Sequence, residues 1–217
     1  MRENARDLTP RYGQLARLVR PFPDFDVAFM KPVRQKAVEL LELRPGDRVL
    51  DVGCGPGGSF PYLARAVGPS GQVVGVEISP EIGINARRRI DKNGWRNVLV
   101  IEASAAEVQL ADGFDGLLMF AASDVYASED ALANLVPHLR EGARVVAFGN
   151  KLSRNPWGRA LNPLSKRLTS LLSFPTTPRP EYEPCHLLAA RLQGLRVDEY
   201  FFGTMFLASG TLARSKG

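Results

Sequence analysis

The stretch that decides the fold is "VLDVGCGPGG", residues 49–58. A short apolar run ends in an acid, Asp51, and passes at once into four glycines, a cysteine and a proline. A turn of this kind, leading from a strand into a helix, brings backbone N–H groups and the positive helix end against a ligand, and side chains would block the approach. Gly53, Gly55 and Gly58 fit the G-x-G-x-x-G spacing of dinucleotide binding, a weak signal when it stands alone. Two acids sharpen it. Asp51 stands two residues before Gly53, and Glu77, 24 residues after Gly53, ends the next apolar run. A carboxylate there can accept both hydroxyls of a ribose in charge-assisted hydrogen bonds. Together these features predict a nucleoside-containing cofactor lying across the carboxyl edge of a sheet.

Outward from that loop, helical and strand patterns alternate. Val33, Ala37, Leu40 and Leu41 recur at helical spacing and predict a helix over roughly 31–43, broken by "RPGD" at 44–47. Strands are expected at 48–52, 72–78, 97–103, 114–121 and 143–149. Helices are expected at 59–68, with Ser59 as N-cap and Gly68 as the stop, at 80–94, and at 127–139. The strands are continuously apolar, so both sheet faces are covered. The fold class is α/β, a Rossmann-like doubly wound sheet, mostly parallel. Two further strand-like runs, 195–202 and 204–210, are joined at Gly203. So short a link makes them an antiparallel pair, giving the sheet an antiparallel C-terminal strand.

At 217 residues one domain is the default. It divides into an N-terminal lid segment 1–43, a core 44–150, a basic and Pro-rich lid insertion 151–193, and a terminal hairpin 194–210. Charged residues at 24% and apolar ones at 45% are those of a soluble globular protein. Cys54 and Cys185 make neither a disulfide framework nor a metal spacing, so no metal is expected and a reduced, cytoplasmic setting fits. "MRENARDLTP" lacks the apolar stretch of a secretory signal. No apolar run approaches the roughly 18 residues of a membrane span. A net charge of +5 permits an anionic partner or membrane surface without demanding one.

"VLDVGCGPGG", "VVGVEIS", "VLVIEASAAEV", "FDGLLMF" and "ARVVAFGNK", in that order over 31–150, resemble the successive motifs of the class I S-adenosylmethionine-dependent methyltransferases. The terminal hairpin resembles that family's reversed seventh strand. The resemblance implies S-adenosyl-L-methionine as cofactor and S-adenosyl-L-homocysteine as product. It implies that Asp51, Gly53 and Gly55 line the methionine portion, that Cys54 of the same loop also touches the cofactor, that Glu77 holds the ribose, and that Ile78 lies beside the adenine. Glu102 and Ala103 match the acid–alanine pair at the adenine edge, Ser104 follows in that loop, and Phe120 runs under the methionine tail. Two departures stand out. Glu102 replaces the more usual Asp, and "REGA" at 140–143 replaces Pro-Gly-Gly before the fifth strand. Among methyltransferases the pattern resembles the group of quinone C-methylation and phosphatidylethanolamine N-methylation. A nicotinamide dehydrogenase could share the loop, but no tyrosine is followed four residues later by lysine.

The acceptor is less legible. "FAAS" at 120–123 lacks the Asn/Asp-Pro-Pro-aromatic motif of amino-methylation of bases and glutamines, and no cysteine falls at the edge of the fourth or fifth strand. Nucleic acid is therefore disfavoured as partner. What remains is methyl transfer to a small, lipophilic acceptor at N, O or C, by alignment and desolvation. A base is needed only where the acceptor loses a proton at attack, and Asp124, Tyr126 and His186 are the candidates. Tyr12, Phe29, Asp124 and Trp157 are the candidate acceptor-pocket residues. The segment 158–173 reads as one helix with Leu161, Leu164, Leu168, Leu171 and Leu172 on one face. That face is either a pocket lid or a surface docking on anionic membrane, the latter fitting a phospholipid N-methyltransferase. A non-catalytic cofactor-binding scaffold is the alternative from another class.

Overall fold

The computed structural model describes residues 30–172 and 180–213, with side chains described for all of these except 168–172. Helix α1 (Met30–Glu39) precedes strand β1 (Arg48–Val52). Then follow α2 (Phe60–Val67), β2 (Gln72–Glu77), α3 (Pro80–Asn93), β3 (Val98–Glu102) and β4 (Phe114–Phe120). The chain continues through α4 (Ser123–Tyr126), α5 (Glu129–Leu135), β5 (Leu139–Asn150), α6 (Pro156–Arg159) and α7 (Asn162–Leu172). It ends with α8 (His186–Ala189), β6 (Leu192–Tyr200) and β7 (Met205–Leu212).

The seven strands lie in the order β3-β2-β1-β4-β5-β7-β6. Pairings from β3 to β5 are parallel, and β7 runs antiparallel to both β5 and β6. Strand order reverses between β1 and β4, so a crevice opens at the carboxyl ends of those two strands. Period-2 alternation sends neighbouring residues to opposite faces. Leu50, Val52, Val74, Val76, Leu117 and Met119 pack under Tyr126, Leu132, Leu135 and Leu188. Val49, Val73, Leu118, Val146 and Phe148 pack under Val33, Ala37, Phe60, Leu63 and Ala86. This double coverage is the physical reason the strands read as unbroken apolar runs.

Local chemistry sets the helix ends. Ser79 accepts from the Ile82 N–H ahead of Pro80, and Gly94 closes α3 in the left-handed conformation at φ 64°. Ser128 caps α5 by accepting from the Ala131 N–H. Ser59, expected to cap α2, does not: it is itself helical, and its hydroxyl accepts from Arg34 Nη1 at 2.9 Å. The first helix ends at Glu39, four residues early, and Glu42 takes a positive φ. The helix expected over 127–139 stops at Leu135 and tightens to a single 3₁₀ turn, Val136–His138, where Pro137 brings no N–H. Strand β5 consequently begins at Leu139. "REGA" lies within it, at a register shift against β4, and is not a turn ahead of it. The expected helix 158–173 is two helices, α6 and α7, and the faces of Leu168, Leu171 and Leu172 fall outside the described side chains.

The hairpin is longer than its sequence pattern, and its second strand lies innermost, against β5. Its strands are joined by the one-turn segment Phe201–Gly203. Met205 pairs with Asn150, so this turn stands at the same edge as the end of β5. Phe201 and Phe202 both hold positive φ, 48° and 58°, at a cost of roughly 1–2 kcal/mol each. Hydrogen bonds hold the turn. Thr204 Oγ1 donates to the Phe201 carbonyl at 2.8 Å, and Ser153 Oγ donates to that of Phe202 at 2.7 Å.

Close packing of β5 on α4 is tested at Gly149. A Cβ there would stand 2.0 Å from the Tyr126 hydroxyl and 2.7 Å from Cζ. Tyr126 is fully buried and set edge-on to Phe206. Gly149→Ala is expected to destabilise the chain by about 1–3 kcal/mol in a denaturant titration. An unchanged midpoint would contradict this packing.

Candidate active site

The loop after β1 is pinned to the neighbouring strand. The Gly53 and Cys54 N–H groups both donate to the Val76 carbonyl, at 2.8 and 3.1 Å. Gly53 sits at φ 69°, and a Cβ on it would come within 2.6 Å of Ala122 Cβ, so the loop is wedged against the turn after β4. Gly55, at φ 57°, is different. Among the described residues nothing lies within 4 Å of where its Cβ would stand. One glycine is required by the fold, and the other opens toward the crevice.

Two buried carboxyls flank this loop. Glu77, at the end of β2, accepts from the Gly55 N–H at 3.0 Å and from the Ser79 N–H at 2.9 Å. Burial pushes its pKa up to about 7 against the pull of those hydrogen bonds, and the nearby Asp124 carboxyl adds to the rise. Asp51 is 1% exposed, and its Oδ2 has no hydrogen-bond partner among the described residues. Burial raises its pKa to about 7, opposed by the Arg34 guanidinium and the Ser59 hydroxyl. A buried carboxylate oxygen without a partner is costly and rare in native proteins. It fits a site that takes a cationic or hydrogen-bond-donating ligand.

The remaining cofactor candidates surround these two. Ile78 is half-buried just past β2. The Ala103 N–H donates to the Glu77 carbonyl at 3.1 Å, which ties the β3 loop to β2. Ser104 Oγ accepts from the Ala106 N–H and starts the following turn. Phe120, at the end of β4, stacks on Phe148 with centroids 4.5 Å apart, and the Arg34 guanidinium lies 4.0 Å above its ring. Glu102, at the end of β3, pairs its carboxylate with Arg87 on α3 and lies along Gly83, a buried residue of that helix. Cys54 is buried, and that burial keeps its thiol protonated.

The proton-transfer candidates separate. Asp124 is half-buried at the start of α4, and burial raises its pKa. Tyr126 is 2% exposed in the core, where burial drives its pKa up, so it is a packing residue. His186 is exposed on α8, with Nδ1 3.4 Å from the Glu183 carbonyl. Trp157 is 80% exposed on α6. Tyr12 and Phe29 lie outside the described residues. No group of three or more metal-ligating side chains occurs among the described residues. Sequence reasoning passed over Arg34, which joins α1 to the loop through Ser59, Phe120 and the charge of Asp51. The available signal was a cation beside Val33 and Ala37 on a helix face that otherwise packs inward.

The glycines give a paired test. Gly53→Ala is expected to cost about 1–3 kcal/mol of stability through its clash with Ala122. Gly55→Ala is expected to cost about 1 kcal/mol of left-handed strain while weakening ligand binding. Equal stability loss in both would contradict the division. Asp51 gives a pH test. Its folded pKa lies above the ordinary one, so the folded chain holds a proton that the unfolded chain lacks between about pH 4 and 7, and stability falls as pH rises through that window. Asp51→Asn is expected to raise the unfolding free energy by about 2–4 kcal/mol near pH 8 and by almost nothing near pH 4. A pH-independent effect would contradict the burial of an uncompensated charge.

Comparisons with known proteins agree with this geometry. The family model "Protein-L-isoaspartate(D-aspartate) O-methyltransferase" matches residues 30–153, more than half of the chain. The protein-L-isoaspartate O-methyltransferase of Aeropyrum pernix is 37% identical over 50% of this chain and 40% of its own length. The ubiquinone/menaquinone biosynthesis C-methyltransferase UbiE of Ectopseudomonas mendocina is 33% identical over 55% of this chain and 48% of its own. The chain spans about a third to a half of the length of the first curated relatives it matches. A crystal structure of an S-adenosylmethionine-dependent methyltransferase from Aquifex aeolicus superposes with a TM-score of 0.60 at 20% identity, covering 94% of this chain and 98% of that one. The fold is therefore the class I methyltransferase fold that the motifs resembled. The match runs from α1 through the glycine loop to the end of β5, and with it the chain belongs to the protein-L-isoaspartate (D-aspartate) O-methyltransferase family.

Proposed function

We propose that this chain transfers a methyl group from S-adenosylmethionine to a small, lipophilic acceptor held over the carboxyl ends of β4 and β5. The observation that carries the cofactor half is the pair of buried carboxyls, Asp51 in β1 and Glu77 at the end of β2, that flank the glycine loop beside the point where strand order reverses. When bound, S-adenosylmethionine supplies an electrophilic methyl on a sulfonium. The chain's residues do the rest. Glu77 keeps lone pairs beyond those used by Gly55 and Ser79, and these accept the ribose hydroxyls. Asp51 Oδ2 accepts from the methionine ammonium and leaves its orphaned state. Phe120 floors the methionine end. Ala103 and Ser104 border the adenine, while Glu102 stays on Arg87.

The acceptor half rests on the other side of the same edge. Beyond β4 the carboxyl rim exposes Trp157, Leu161, Leu164 and Phe202, so an entering acceptor meets apolar side chains. In-line transfer needs alignment and a dry site more than a dedicated catalyst. Where the acceptor must lose a proton, Asp124 is the best candidate base, half-buried and near enough to Glu77 for its charge to act there.

The family match favours a second reading, O-methylation of an isoaspartyl carboxyl in a peptide. One experiment separates them. Purified chain is given S-adenosylmethionine labelled on the methyl, with a cell lipid extract in one arm and an isoaspartyl peptide in the other. Enzyme-dependent label in the organic phase is expected. Label confined to the peptide would replace the lipophilic acceptor with the second reading, and label in neither would contradict the activity. Glu77→Ala is expected to weaken cofactor binding by about tenfold or more, through loss of charge-assisted hydrogen bonds. Undiminished affinity by calorimetry would contradict the ribose assignment.

A further inference from the structure

The helix after β5 and the turn joining β6 to β7 sit against each other at the carboxyl edge. A Cβ on Gly158 would stand 2.0 Å from the Phe202 carbonyl and 2.2 Å from Ser153 Oγ, so α6 touches that turn directly. The contact leaves large apolar side chains facing outward. Trp157 is 80% exposed, Phe202 67% and Leu164 62%. Phe202 also holds φ 58°, a strained conformation for a bulky residue, and at that exposure packing within the chain does little to offset it.

Charge indicates what covers this rim. Arg159, Lys166 and Arg167 stand exposed in the same segment and make no ion pair among the described residues. Residues 151–180 contain no acid. Of the acids that flank the rim, Glu183 is engaged by Arg154 and Glu199 by Lys151, and Glu181 remains. We infer that this rim docks on an anionic bilayer, with Trp157, Phe202 and Leu164 in the interfacial layer and Arg159, Lys166 and Arg167 at the lipid phosphates and carboxylates. Tryptophan and phenylalanine suit a boundary that is apolar on one side and wet on the other, and cations at headgroup level add electrostatic attraction. A second copy of the chain suits the rim less well, because a two-fold contact would bring the same cations face to face. Docking would deliver a lipophilic acceptor straight to the crevice. That purpose rests on the proposed activity, whereas the binding itself does not.

The test is flotation of the 217-residue chain with two kinds of vesicle, phosphatidylcholine alone and phosphatidylcholine with phosphatidylserine in equal parts. The chain is expected to float with the mixed vesicles and not with the neutral ones. In a Trp95→Phe background, mixed vesicles are expected to blue-shift the remaining emission, that of Trp157. Trp157→Ser with Phe202→Asn, in which asparagine tolerates the left-handed backbone, is expected to lower the bound fraction by about tenfold or more. Lys166→Glu with Arg167→Glu is expected to do the same. Both double variants should unfold at or above the wild-type temperature, the Phe202→Asn pair gaining from relief of left-handed strain, and bind cofactor normally. Failure to float with mixed vesicles would overturn the inference, as would flotation that survives both double variants. So would dimerisation that shifts Trp157 emission without lipid, which would make the rim an interface between copies. A chain that floats but transfers no methyl group would refute the proposed activity and leave docking standing, and the converse result would refute docking alone.

Discussion

The structure turns on two buried carboxyls, 1% and 6% exposed, at the edge of the sheet. Asp51 lies one residue before the end of β1 and Glu77 ends the neighbouring β2, beside the reversal of strand order, and burial raises the pKa of both to about 7. Left ionised without partners they would destabilise the chain, so the surroundings are built to meet them. The Gly55 and Ser79 N–H groups answer Glu77, while Arg34 and Ser59 stand by Asp51. The glycine loop exists to bring backbone donors this close. Its wedge against Ala122 fixes it to β4, and its hydrogen bonds to Val76 fix it to β2. One polar oxygen, Asp51 Oδ2, is left over, and it points to a ligand that carries donors or positive charge.

From that centre the carboxyl edge divides. Over β1, β2 and β3 it is polar and lined by loop backbone, which suits a charged, nucleoside-bearing molecule. Beyond β4 it is apolar and cationic, and it is strained at Phe201 and Phe202. The buried Lys151, paired with Glu199, and the Ser153 hydroxyl on the Phe202 carbonyl fasten that half. Such strain persists where neighbouring structure over-determines it, and it clusters at places that bind. The reaction proposed above, between a charged cofactor and an apolar acceptor, would use a boundary of this kind.

Much of this was legible in the residues. Five strands with both faces apolar, a glycine turn after the first and an acid at the end of the second fix a parallel doubly wound sheet and the side on which it binds. The bounds of α3 also read correctly, from Pro80 to the glycine that follows it at 94. The failures share a cause, because they depend on contacts distant in sequence. Ser59 looks like a cap, but Arg34 from another helix claims its hydroxyl. The pairing of Glu102 with Arg87 on α3 likewise leaves no signal in the motif. Tyr126 carries a proton-transferring group near the right strand, yet it lies on the core face of a single-turn helix whose pattern is too short to read. The family model matched is that of isoaspartyl O-methylation, and the quinone C-methyltransferase UbiE is also among the relatives, so the shared motifs do not single out an acceptor. Cofactor motifs report the shared half of the edge, and the acceptor half carries no motif.

The most direct test of the buried-carboxyl account is a calorimetric titration with S-adenosylmethionine near neutral pH, repeated in buffers of different ionisation enthalpy. A ligand that presents ribose hydroxyls and a cation to Glu77 and Asp51 favours their ionised forms. Both begin with pKa values near 7, so binding is predicted to release protons, seen as a heat that changes with the buffer. Binding with no buffer-dependent heat, or no binding at all, would contradict the claim that these two carboxyls receive the cofactor.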